Sequence, residues 1–334
     1  MTISEGTMKR IVWIDILRGL TIMLVVMWHV NLVDLSTGLN HPFCKDFSSL
    51  FTPFRIPLFM FISGGVLYIG RISRNWDCKK LYLDKAKRLL LPLMCFVVIY
   101  VAIKCLFIPF VKTPFQLSIA EFFRSFVYFQ KGNPAAHLWF LALLFLLMLF
   151  YPVYKIVCRN NYLLNLMLVI SLLLNIFFKG GFSPIFCLNY LPNYFIFFFC
   201  GIYCFRYQLF LYLEKPSATL ICIAFYALSF YVGIELITQL CGVAMMVSIG
   251  INISKYIPGL FSSFRGYSYQ IYLMSMMFQG IVELILWKKL FYNESLFYFF
   301  YILNVLAGVY LPVLVAKWVE KCNYSYVRIC FGLK

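Results

Sequence analysis

Three ionisable residues stand inside one apolar run near the amino terminus. In IVWIDILRGLTIMLVVMWHV, residues 11–30, Asp15, Arg18 and His29 interrupt side chains that are otherwise almost wholly apolar. A charge placed in hydrocarbon is unfavourable unless it is paired or faces water, so such residues are candidates for a functional site. As a helix, the step from Arg18 to His29 makes about three turns and returns both to nearly the same face, about 16 Å apart along the axis. Asp15, one turn before Arg18, can pair with it. An arginine suits the holding of an anionic or carbonyl-rich group, and an imidazole suits proton transfer. The same spacing also fits an Asp–Arg pair that only stabilises helix packing, with a histidine hydrogen-bonded to a neighbouring span.

The elements that must position these residues follow from composition. The chain of 334 residues is 63% hydrophobic and 12% charged, with a mean hydropathy of +0.87. A soluble domain has roughly 45–50% apolar and about 25% charged residues. An ordinary water-soluble fold is therefore excluded. The apolar residues come in runs of roughly 20, the length that crosses a hydrocarbon core as a helix. Stretches such as LALLFLLMLF do not alternate as barrel strands do. The expected fold is all-α, a polytopic transmembrane helical bundle forming a single domain over residues 1–334. Its spans, about ten in number, fall at about 11–33, 49–70, 89–111, 137–157, 160–178, 185–205, 217–233, 234–253, 267–287 and 296–316. The seventh and eighth are the least clearly divided. The amino-terminal run is not a cleaved signal on this reading, because Asp15, Arg18 and His29 interrupt it and no A-x-A-like site follows. Twelve cysteines without a C-x-x-C pair read as small core residues and give no metal site.

The net charge of +17 serves here to orient the chain, not to mark a nucleic-acid partner. With the amino terminus cytoplasmic, about 19 basic residues fall on the cytoplasmic side and about seven on the other, which places both termini in the cytoplasm. The strongest element is RISRNWDCKKLYLDKAKR, residues 71–88, whose basic residues are opposed only by Asp77 and Asp84. Such a loop can orient the chain and meet anionic membrane lipid, or bind an anionic cofactor. On the outer side, Phe115, Ile119, Phe122, Phe123, Phe126 and Phe129 recur at roughly helical spacing, suggesting an interfacial helix. His41, before a proline, reads as solvated, and Glu235 and Glu283 as near enough to span ends to reach water.

The chain resembles the membrane-bound acyltransferase-3 family. The first span carries D-x-x-R-G with a histidine eleven residues after Arg18. FRIPLFMFISGGVLY, with Pro57, Phe59, Ser63 and Gly64, is similar to the family's P-L-F-F-x-x-S-G-F segment. KAKRLLLP is similar to its R-x-x-R-L-x-P element, HLWFLALL to its H-L-W-F-L, and GYSYQIYLMS to its late S-x-x-I-Y-L. Two positions depart: Ser275 stands where many relatives have histidine, and Gly65 where an aromatic is usual.

The resemblance implies an acyl-CoA-dependent O-acyltransferase, moving an acyl group, acetyl by family habit, from cytoplasmic acetyl-CoA or another acyl-CoA to a glycan or lipid-linked sugar. It implies no permanently bound cofactor, allows a homodimer, and suggests a bacterial inner membrane. His29 would be the general base, Arg18 would hold the donor or polarise its carbonyl, and Asp15 would fix Arg18. Lys85 and Arg88, with Lys79, Lys80 and Lys87, would meet the CoA phosphates. Ser63 would line the donor channel, and His137, Trp139 and Arg55 the acceptor site. The competing class is a transporter or flippase of a lipid-linked saccharide, which would also bury charges along a path. Related halves are not evident, and the buried charges concentrate in the amino-terminal third.

Overall fold

The computed structural model describes residues 11–37, 41–106, 118–130, 132–290 and 294–333, and all regular structure among them is helical. The amino-terminal half holds α1 (Val12–Thr37), α2 (Pro42–Ser49), α3 (Thr52–Leu67), α4 (Cys78–Lys85), α5 (Leu91–Leu106), α6 (Ile119–Arg124), α7 (Trp139–Leu149), α8 (Tyr151–Val157) and α9 (Asn161–Phe177). Then follow α10 (Leu191–Arg206), α11 (Pro216–Val232), α12 (Glu235–Tyr256), α13 (Ser268–Ile281), α14 (Phe297–Glu320) and α15 (Ser325–Cys330).

Local chemistry sets many of the boundaries. Asp77, Ser118 and Asn160 each accept a backbone N–H at a helix start, and Pro42, Pro192 and Pro216 sit in first turns, where their missing N–H is harmless. Gly233, at φ +79°, ends α11 in the left-handed conformation and so divides the seventh apolar run from the eighth. Pro152 opens α8, and the helix bends by 52° between α7 and α8.

Among the described residues seven helices are long and apolar enough to cross a membrane, and the bent α7–α8 pair makes an eighth. The other two expected spans are α9 and α11, of 17 residues each. At about 25 Å they are shorter than a hydrocarbon core of about 30 Å. Their outward faces carry Leu166, Val169, Ile170, Ile176, Leu220, Ile221, Phe225 and Leu228, all exposed. In water such faces would drive aggregation, whereas in a bilayer they meet acyl chains.

The tightest pairing is α3 with α10. A Cβ on Gly64 would run into the Phe198 carbonyl oxygen, and one on Gly201 into that of Phe61, so the two glycines let the backbones touch. Gly65 lies against the Phe205 ring of α10, where a Cβ would collide with it. Helix α1 is central, packed by α2, α3, α12, α13 and α14, with Ile16, Leu17, Ile22 and Val26 inaccessible.

The expected outer-face helix is shorter than its phenylalanine spacing suggests. Among the described residues only α6 forms, Phe126 falls in the turn after it and Phe129 in the irregular chain beyond; Phe115, like Lys9 and Arg10, lies outside the described residues. Asn133 Nδ2 donates to the Ser125 and Tyr128 carbonyls at 2.9 and 2.7 Å, which folds the chain back and buries Phe129.

Candidate active site

A cavity of about 480 Å³ opens where α1, α3, α7 and α13 meet the basic segment. Arg18, Ser63, Arg71, Lys85 and Arg88 line it with Phe59, Phe140, Ser268, Tyr269 and Tyr272. Two π-helical turns, Tyr68–Ile72 and Ala86–Leu90, hold Arg71 and Arg88 on either side of α4. Such turns widen a helix locally and recur at functional sites. Asp84 gathers the cations, at 2.8 Å from Arg88 Nε and 3.4 Å from Arg71 Nη2. Arg18 Nη1 lies 3.4 Å from Asp15 Oδ1. Among the described residues four cations stand against two carboxylates here, a balance suited to phosphate or carboxylate groups.

The basic segment is folded around Trp76. The Arg71 guanidinium stacks 3.3 Å from the Trp76 ring, while the Tyr151 hydroxyl and Lys155 Nζ both donate to the Trp76 carbonyl at 3.0 Å. Of the basic residues expected to meet an anionic ligand, Lys85 and Arg88 line the cavity. Lys79, Lys80 and Lys87 are exposed and do not, whereas Arg71, not singled out from its spacing, does.

His29 does not line this cavity. It is 3% exposed, and its Nδ1 lies 3.2 Å from Ser275 Oγ on α13. Helix α13 follows α1 closely: Ser268 and Tyr269 share the cavity with Arg18, Ser275 meets His29, and Gln279 Nε2 donates to the Val26 carbonyl at 2.9 Å. Because α1 is unbroken, Arg18 and His29 are about 16 Å apart along its axis. That separation sets the Arg18 guanidinium apart from the His29 imidazole.

His137, expected at a wet interface or a substrate site, is buried in the 3-10 turn Ala136–Leu138, 7% exposed. Its ring meets the His29 ring edge-on at 5.8 Å and that of Tyr100 at 4.4 Å. Neither ring nitrogen hydrogen-bonds a described residue. The Tyr272 hydroxyl donates to the His137 carbonyl, so Tyr272 joins the cavity wall to the histidine pair.

Trp139 packs on Tyr190 and Tyr194 at 4.5 and 5.3 Å between ring centroids. Arg55, 7% exposed, stacks 3.7 Å from the Trp28 ring and donates from Nη1 to Thr52 Oγ1 at 3.0 Å. Arg55 and His137 thus lie at the His29 end of α1, while Trp139 packs on Tyr194, which is within electrostatic reach of Arg55; none of the three lines the Arg18 cavity.

Two expectations outside the site are corrected. His41 is not simply solvated: its Nδ1 caps α2 and its ring stacks on Phe297. Glu283 does not reach water but is fully buried and accepts from Asn304 Nδ2 at 2.8 Å, while Glu235 is exposed and pairs with Lys179.

Sequence reasoning did not single out Tyr100, Tyr272 or Arg71. Ser275 stood out only as a departure from relatives. An isolated hydroxyl in an apolar run is an ordinary membrane-helix feature, and only the α1–α13 packing shows which imidazole it meets. A family model described as an acyltransferase domain, that of the acyltransferase-3 proteins, matches residues 11–314. No curated protein and no solved structure matches the chain. The transporter alternative receives no support from these comparisons.

Proposed function

The chain belongs to the acyltransferase-3 family, and from that premise we propose that this membrane acyltransferase carries an acyl group, acetyl by the resemblance, from cytoplasmic acyl-CoA to a sugar hydroxyl on the opposite face. The acceptor is a cell-surface glycan or a lipid-linked sugar, and the membrane a bacterial inner membrane. The observation that carries the reading is the division of labour along α1, with a cationic cavity around Arg18 and a buried imidazole held by Ser275 three turns further on.

In this reading Arg18, Arg71, Lys85 and Arg88 hold the phosphates and pantetheine arm of the donor, and Ser63 lines the arm's path. Asp15 fixes Arg18, and Asp84 spaces Arg71 from Arg88. The arm points along α1 and brings the thioester to His29. Ser275 accepts Nδ1–H of His29, which leaves Nε2 as the base. His29 takes the proton of the acceptor hydroxyl as its oxygen bonds to the thioester carbonyl carbon. The tetrahedral adduct collapses, the C–S bond breaks, and the proton passes from His29 to the CoA thiolate. General base catalysis of this kind contributes typically about 10²–10⁴-fold.

The test is transfer of radiolabel from acetyl-CoA to a membrane glycan fraction by purified protein in liposomes, compared with His29→Ala. Label transfer lost only in the variant supports the mechanism. Transfer that persists in the variant removes His29 from it, and no transfer with a range of donors and acceptors removes the function.

A further inference from the structure

Arg55 has a position that packing does not account for. Its guanidinium is nine-tenths buried, always protonated, and carries five N–H donors. Among the described residues one of these donors is engaged, by the neutral Thr52 hydroxyl. Nε is buried without a hydrogen-bond partner, and no described carboxylate lies within ion-pair distance. The Trp28 face beneath it offers cation–π attraction but no compensating charge. An apolar side chain would fill the same volume without the desolvation penalty of a buried charge.

The neighbourhood indicates what such a charge can recognise. Trp28 precedes His29, and their rings lie 5.9 Å apart. Arg55 is within electrostatic reach of both His29 and Tyr194. Tyr194 of α10 joins Tyr190, in the turn just before that helix, and Trp139 of α7 in a half-buried aromatic group. Flat rings beside one fixed charge and a proton-transfer group form a surface for a ring-shaped ligand bearing an anionic substituent.

We propose that Arg55 is the anion subsite of the acceptor site, so that the sugar acylated at His29 carries an anionic oxygen group, a carboxylate of its own or the phosphate of a lipid carrier. The inference rests on the acyltransferase reading for the ligand's role, while the binding preference is measurable without any transfer.

The experiment measures equilibrium binding of two pairs of probes to the full chain in lipid nanodiscs: methyl glucuronoside against neutral methyl glucoside, and a polyprenyl phosphate against the matching polyprenol. The expected result is that at least one anionic probe binds about tenfold or more tighter than its neutral counterpart. That preference should vanish in Arg55→Gln, fall several-fold in Arg55→Lys, which keeps the charge but not the forked geometry, and persist in Arg88→Gln, in the cavity around Arg18. Which anionic probe wins identifies the source of the anion. Equal binding of anionic and neutral probes, binding of none, or a preference unchanged in Arg55→Gln overturns the proposal. If Arg55→Gln does not fold, the wild-type preference and its decline in Arg55→Lys decide. Label transfer from acetyl-CoA is read separately. An Arg55-dependent preference without transfer to any acceptor counts against acyl transfer alone, and equal transfer to acidic and neutral sugars counts against Arg55 alone.

Discussion

In the proposed mechanism the outcome at His29 depends on which ring nitrogen carries the proton, and Ser275 is the residue whose hydroxyl meets Nδ1. Ser275→Ala leaves both nitrogens without that constraint, so kcat should fall roughly ten- to a hundredfold, within the range of general base catalysis, while KM for acyl-CoA stays unchanged. Ser275→Thr should recover most of the loss, and steady-state kinetics in nanodiscs separate the two variants. At the other end of the stripe the effect is of a different kind. Arg18→Ala removes a ligand contact remote from the reacting bond, so KM for acyl-CoA should rise about tenfold or more with kcat at saturation largely kept. A fall in kcat with KM unchanged would place Arg18 at the thioester instead, against the separation along α1.

Helices α3 and α10 approach through Gly64 and Gly201, whose missing side chains allow backbone contact. Gly64→Val places two methyl groups against the Phe198 carbonyl, and overpacking of this kind is unfavourable by typically about 1–3 kcal/mol. Thermal unfolding in detergent should show a lowered midpoint, and activity should fall in proportion to folded protein, because Ser63 rides on the same helix. The basic segment is organised by Asp84, which bridges Arg71 and Arg88 across two π-helical turns. Asp84→Asn keeps the shape and removes the charge that gathers the two guanidiniums. Acyl-CoA affinity should weaken several-fold, without the loss of midpoint seen for Gly64→Val.

Over the whole molecule the two sites lie at successive depths of one bundle, the cationic cavity toward the start of α1 and the histidine pair with Arg55 beyond it. On the orientation expected from the charge asymmetry, the Arg71–Arg88 side faces the cytoplasm. In a background without native cysteines, Lys79→Cys should react with a membrane-impermeant thiol reagent only after the cells are opened, and Lys179→Cys in intact cells. The reverse pattern would invert the donor and acceptor sides. The cavity's cations also predict that acyl-CoA binding weakens as ionic strength rises, since screening shortens the reach of partly exposed charges.

The amino-acid sequence alone determined that this chain is a helical membrane protein, because bilayer thickness writes itself directly into the length of apolar runs. It also marked Asp15, Arg18 and His29, since charged and titratable groups in such runs are rare enough to be conspicuous. The ordered family motifs were legible for the same local reasons, whereas the seventh and eighth spans were least clearly divided in the sequence, and it is the structure that ends α11 at Gly233. Tertiary structure decided what each marked residue touches. Ser275, Tyr272 and Tyr100 are unremarkable side chains in their own helices, and they acquire a role only through the packing of α13 and α5 around the histidines. Tertiary structure also selected Arg71 over Lys79, Lys80 and Lys87, through two π-turns that no hydrophobic periodicity announces. The physical reason is one of range. Transfer into lipid is a property of each segment by itself, whereas a hydrogen bond between residues 246 positions apart, such as that of His29 with Ser275, exists only once the whole bundle has closed.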